Sequence, residues 1–199
     1  MKTKTQNTIT FLIGASGSGK SRHANKLAGQ QDAFIIDADA IKLALNNQEP
    51  VCSDTNAALH PAASELSQSL LFNYFYNQDD FLTRYNCSSV IFDNRGKNWD
   101  KVESRITAAK SAGLQVRFVY VKNDLASCLY NVHRRNQTSK RKMFLKVCAQ
   151  DFGGTVYTAE KLQALAATGY IEYQKVQGYN SIKSKFLQRL CNLIVKVIV

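Results

Sequence analysis

Residues 14–21 read Gly-Ala-Ser-Gly-Ser-Gly-Lys-Ser, directly after the apolar run Thr8–Ile13 and before a stretch of helical character at 21–27. Three glycines in six positions let a backbone wrap tightly, so that successive N–H groups point at one concave spot. The helix that follows adds the positive end of its dipole to the same spot. A strand, such a loop and a helix in that order make a cradle for a polyphosphate, with Lys20 reaching the β- and γ-phosphates and the Ser21 hydroxyl on Mg²⁺. The eight residues match GxxxxGK[ST] in full, so this segment constrains the chain to a strand–loop–helix start and to nucleotide chemistry. Gly14, Ala15, Ser16, Gly17, Ser18, Gly19, Lys20 and Ser21 are the candidate ATP-binding residues.

The rest of the chain supplies the expected fold around that start. Short apolar runs at 33–36, 89–92 and 116–121 read as buried strands, and helical patterns occupy 40–46, 61–85, 100–112 and 125–135. The 61–85 stretch is a long amphipathic helix or a bent pair, and Gly113 stops the helix before it. Strands that are apolar throughout, alternating with helices, predict an α/β fold of three layers, with a central, mostly parallel sheet. Beyond residue 151 the pattern predicts a helix at 159–167, a strand at 170–176 and a helix at 181–198. With 199 residues, 45% of them hydrophobic, and only Pro50 and Pro61 as prolines, the chain reads as one domain, 1–199. A basic lid at about 134–150 and a C-terminal extension at about 158–199 complete it.

Ligands of such sheets lie beyond the carboxyl ends of the strands. Gly14, Asp37 and Asp93 each follow a strand at that end, so three separated segments converge. A hydroxyl that attacks a phosphoryl group needs a carboxylate to orient it and take its proton. Asp39, just past the second strand, suits that role, while Asp37 would help order Mg²⁺, touch substrate or cap the next helix. Asp93 would hold the Mg²⁺ shell or bind substrate, with Arg95 and Lys97 as donors to acceptor oxygens. A guanine-reading Asn-Lys-x-Asp is missing, since 121–124 read Val-Lys-Asn-Asp. Asn94, in the place where a hydrolytic ATPase carries a second acid, is a poor base for water. Phosphoryl transfer to an acceptor is therefore the favoured chemistry.

Charge sharpens the picture. The formal net charge is +11, and between Asp124 and Asp151 there is no acid, while Arg134, Arg135, Lys140, Arg141, Lys142 and Lys146 crowd together. Cationic clamps matter in phosphoryl transfer because the protein has little covalent work to do. Arg135 and Arg141 are nominated as catalytic, with Arg134 on the ATP phosphates. The same field would attract nucleic acid, with Tyr130, His133 and Phe144 between the cations as stacking platforms. Five scattered cysteines without a CxxC pair predict neither a disulfide framework nor a zinc site, and fit reduced thiols in a cytoplasmic setting. No segment is long and apolar enough to be a transmembrane span, the C-terminal run 190–199 included.

The chain resembles the zeta-toxin family of P-loop kinases, and more loosely the chloramphenicol phosphotransferases and adenylylsulfate kinases. The likeness runs from about 8 to 152 and rests on the loop at 14–21, Ile36-Asp37-Ala38-Asp39 with Lys42, and His60-Pro61 before a long helix. It continues through Val90-Ile91-Phe92-Asp93 with Arg95, and the Arg134/Arg135 pair. The resemblance implies a P-loop NTPase fold, ATP with Mg²⁺, Asp39 as the base and Asp93 as a substrate-binding acid. Arg95 or Lys97 then stands for the arginine after that acid, and the lid arginines meet ATP phosphates. It implies as acceptor a hydroxyl on a small metabolite, nucleotide or nucleotide sugar, and leaves room for an acidic antitoxin partner. The basic charge keeps two other readings in play, a 5′-hydroxyl polynucleotide kinase and an ATP-gated switch that binds nucleic acid or protein.

Overall fold

The computed structural model describes residues 6–48, 53–138 and 143–179. The lid residues Lys140, Arg141 and Lys142, along with Pro50, Cys52, Cys191 and the C-terminal helix expected at 181–198, lie outside the described residues.

Five parallel strands form one sheet: β1 (Thr8–Ile13), β2 (Ala33–Asp37), β3 (Ser89–Asp93), β4 (Gln115–Lys122) and β5 (Glu172–Gln177). Their order across the sheet is β2-β3-β1-β4-β5, which puts β1 in the middle and its following loop at the centre of the carboxyl edge. Both faces are covered, as the uniformly apolar strands require. On one face Phe11 pairs in register with Phe92 and Phe118. The Phe11 and Phe118 rings stack at 4.9 Å and Phe92 meets Phe11 edge-on at 6.0 Å. On the other face Leu12, Ile91, Val119 and Val121 pack with Ala24 of the first helix. The α/β architecture with a parallel central sheet is as the sequence predicts, down to a fifth strand two residues later than expected.

Seven helices are described: α1 (Lys20–Gln31), α2 (Ala38–Leu45), α3 (Ser53–Tyr76), α4 (Gln78–Arg84), α5 (Trp99–Ser111), α6 (Leu125–Thr138) and α7 (Leu145–Ala167). The 61–85 pattern resolves into a bent pair, broken at Asn77 (φ −132°, ψ 51°). Pro61 does not open a helix but sits inside α3. α2 begins two residues before its expected start because Asp37 caps it, its Oδ1 accepting from the Asp39 N–H at 2.9 Å. α7 starts well before the helix expected at 159–167 and runs unbroken through Gly153-Gly154. Gly154 is there for proximity: a Cβ on it would lie 2.5 Å from the carbonyl oxygen of Lys97. A helix can thus lie directly on the loop after β3. Among the described residues no helix is long and apolar enough to cross a membrane.

Candidate active site

The loop between β1 and α1 is held from outside by its carbonyl oxygens. Ser18 N–H donates to Ala15 O at 3.1 Å, and Cys148 Sγ on α7 donates to Ser16 O at 3.3 Å. Asn131 Nδ2 on α6 donates to Gly17 O at 2.7 Å, and the Tyr179 N–H after β5 donates to Ser18 O at 3.0 Å. The amides of Gly17, Gly19, Lys20 and Ser21 have no acceptor among the described residues. Carbonyls turned outward and amides left without partners are the local signature of an anion cradle. Gly17 is obligatory here, with φ +82° and a hypothetical Cβ only 2.3 Å from the Cys128 carbonyl oxygen.

A cleft of ≈ 620 Å³ opens from this loop along the carboxyl edge of the sheet. Asp93, at the end of β3, is almost fully buried and its Oδ1 lies 2.9 Å from Lys20 Nζ. That contact is an ion pair without hydrogen-bond alignment, since the same oxygen has no hydrogen-bond partner. Across from it Asp39 Oδ1 lies 2.6 Å from Lys42 Nζ, an ammonium that is only 3% exposed. Burial, and next the charge of Asp93, push the Asp37 carboxyl above the ordinary aspartate value. His60 on α3 moves the other way, held down by burial and then by the charges of Lys42 and Arg95.

Every nominated residue among the described ones except Gly14 and Ser18 lines this cleft, including Asp37, Asp39, Asp93, Arg95, Lys97, Arg134 and Arg135. Gly14 and Ser18 form the back of the cradle, a Cβ on Gly14 falling 2.8 Å from Ser18 Oγ. Arg95 and Lys97 share one buried anchor: Arg95 Nη1 is 2.6 Å from Asp151 Oδ2, and Lys97 Nζ is 2.8 Å from Asp151 Oδ1. Arg141 lies outside the described residues.

A family model described as an AAA domain matches residues 9–150, more than two thirds of the chain and all of the cleft lining except Tyr179. The chain belongs to this AAA domain family. No curated protein sequence matches it. Among solved structures, a chain of the PezAT chromosomal toxin-antitoxin system of Streptococcus pneumoniae superposes with a TM-score of 0.64 at 16% identity. The match covers 98% of this chain and 88% of that one. The AvrRxo1-ORF1:AvrRxo1-ORF2 complex with sulphate ions gives 0.61 at 17% identity, covering 94% of this chain and 63% of the other. The same complex with ATP gives 0.60 at 18% identity, covering 86% and 55%. This AAA domain therefore shares its P-loop fold with these chains, and spans under two thirds of the AvrRxo1 chain.

Several cleft residues of the AAA domain escaped the motif reading. Asp151 had a signal, being the acid that ends the acid-free stretch after Asp124. Tyr179, with Arg22 5.0 Å over its ring, had none, because only the fold brings residue 179 to the loop at 14–21. Arg105 and Gln68, joined by a hydrogen bond from Nε to Oε1 at 3.3 Å, sit in helices whose patterns read as ordinary amphipathic faces.

The residues present fit a nucleoside triphosphate. Four amides without acceptors, Lys20 and the start of α1 meet one cleft edge, and Arg134 and Arg135 face it from α6. Ser21 and Asp93, an oxygen pair beside the cradle, suit a Mg²⁺ shell completed by water and phosphate.

Proposed function

We propose that this AAA domain is an ATP-dependent kinase that transfers a phosphoryl group to a hydroxyl of a small metabolite, nucleotide or nucleotide sugar. The observation that carries the reading is a glycine loop with four amides left without acceptors among the described residues, sharing one cleft with a second, acidic wall made by Asp37, Asp39 and Asp93. A hydrolase needs only water at that wall, whereas here it is extended by a further polar lining from α3 and α5.

Bound ATP with Mg²⁺ would supply the γ-phosphoryl group and screen its charge. Lys20 and the amides of Gly17, Gly19, Lys20 and Ser21 hold the phosphate chain, and Ser21 and Asp93 hold the metal side of it. Asp39 orients the acceptor hydroxyl and takes its proton at the carboxylate, which the buried Lys42 ammonium fixes in place. Arg134 and Arg135 bring positive charge over the reacting group, a task that Arg141 would share. Free thiols at Cys87, Cys128 and Cys148 suit the ATP-rich, reducing cytoplasm. The likeness of fold to a chain from the PezAT toxin-antitoxin system and to one from the AvrRxo1-ORF1:AvrRxo1-ORF2 complex supports an acidic protein partner for this strongly basic chain.

The test is mass spectrometry of a metabolite extract incubated with ATP, Mg²⁺ and protein. One metabolite is expected to gain one phosphate. Asp39→Ala should lower that turnover by about 10²–10⁴-fold with nucleotide affinity nearly unchanged. Full turnover in the variant would remove Asp39 from the chemistry, and label appearing only on 5′-hydroxyl oligonucleotides would transfer the assignment to a polynucleotide kinase.

A further inference from the structure

The carboxylates of the cleft are already engaged. Asp93 faces Lys20, Asp39 faces Lys42, Asp151 takes both Arg95 and Lys97, and Asp37 caps α2. Among the described residues Arg22, Lys101, Arg105 and Arg134 line the cleft without such a partner, and of these four Arg105 alone is not exposed. Arg105, on the second turn of α5, is half-buried, and among the described residues it contacts no carboxylate. Its Nε donates to Gln68 Oε1 at 3.3 Å and its guanidinium lies 5.0 Å from the centre of the Phe92 ring. Its Nη1 and Nη2 groups find no acceptor among the described residues. Burial pulls its pKa below the ordinary arginine value. An arginine stays charged even so, and a desolvated guanidinium without a counter-charge is costly unless something else supplies the anion.

The surroundings fit that anion. Gln68 and Phe92 hold the guanidinium by one edge and one face, which leaves its fork of N–H groups aimed into the cleft. A planar fork of this kind matches two oxygens of a phosphate or carboxylate at once. Lys101 lies one turn earlier on the same face of α5, lines the cleft mouth and likewise has no paired carboxylate among the described residues. Opposite, α3 lines the cleft with a polar stripe of His60, Ser64, Ser67 and Gln68.

Resting on the kinase reading above, we infer that Arg105 is a specificity-determining residue that binds an anionic group on the acceptor, with Lys101 as a second donor at the rim. The acceptor then carries a phosphate or carboxylate of its own beside the hydroxyl that is phosphorylated. Neutral alcohols leave the Arg105 fork unpaired and are poor substrates.

The test fills the nucleotide side first. With saturating adenylyl imidodiphosphate and Mg²⁺, inorganic phosphate and, in parallel, acetate are titrated by calorimetry. One anion site is expected, and preference between the two probes names the group. Arg105→Gln should weaken it by about tenfold or more and Arg105→Lys by less, with affinity for the nucleotide analogue within about twofold of the parent. Lys101→Gln, at an exposed position that folding tolerates, should weaken it by about threefold. No anion binding with the analogue in place, or equal binding by the parent, Arg105→Gln and Lys101→Gln, overturns the assignment. The extract experiment separates the two proposals. A phosphorylated product with no other anionic group overturns the anionic acceptor and leaves the kinase standing. Anion binding at Arg105 with no product overturns the kinase and leaves the site.

Discussion

Asp37 carries two duties that pull against each other. Its carboxylate caps α2 through the Asp39 N–H, yet burial and the nearby charges of Asp93 and Asp39 raise its pKa. A carboxyl whose folded-state pKa lies above the unfolded value binds its proton more tightly when folded. Its ionisation therefore subtracts stability as pH rises from the ordinary value of 3.8 through the folded-state value, and the penalty is complete above it. Asn at this position keeps the cap oxygen and loses the charge. Asp37→Asn is expected to melt higher than the parent at pH 7 in the absence of nucleotide, with the gap closing as pH approaches 4. A lower melting point at pH 7 would mean that the carboxylate is a net stabiliser. Lys42 shows the same scale from the other side, a nearly buried ammonium that is paired with Asp39.

At the scale of elements, the grip of α7 on the loop after β3 stands out. Asp151 is 1% exposed and takes a cation on each oxygen. Thr155 Oγ1 donates to Arg95 O at 3.0 Å, and Gly154 lets the two backbones touch. Helix and loop act as one piece, so the Arg95–Lys97 side of the cleft is set by a helix that begins at Leu145, just after the basic 139–142 segment. Asp151→Asn removes the charge but leaves Arg95 and Lys97 able to rehydrate, at a cost of about 2 kcal/mol, or roughly 4–8 °C in Tm. Replacing both cations by Met strands a buried carboxylate and should cost more, about 3–5 kcal/mol. A thermal melt in which the Asn variant falls further than the double Met variant would reverse the assignment of anchor and anchored. This scale also shows what sequence could and could not reveal. The strands, the loop at 14–21 and the acids after β2 and β3 were legible because periodicity and strand ends fix their positions locally. Arg105, Gln68 and Tyr179 were not, because their place in the cleft depends on how α3, α5 and the segment after β5 pack. The early start of α7 was not legible either, since the Gly154 it runs through is set by close approach to the Lys97 backbone, a contact only the fold creates.

Across the whole molecule, the cradle is not self-supporting. Its outward carbonyls are held by Asn131 on α6, Cys148 on α7 and Tyr179 after β5, three places far apart in the chain. Asn131 also donates to Tyr179 O at 2.9 Å, and Asn123 donates to the same oxygen at 2.9 Å, so the supports brace one another. Bound nucleotide should then slow amide hydrogen exchange in the middle of α6 and at 177–179 as well as in the loop itself. Protection confined to 14–21 would show that the supports are passive.

Clamped from behind at three points, the loop behaves less like a hinge than like a keystone. Tension applied to the chain near residue 179, by a bound protein or by whatever continues beyond it, would be felt as a change in grip on phosphate some 160 positions earlier.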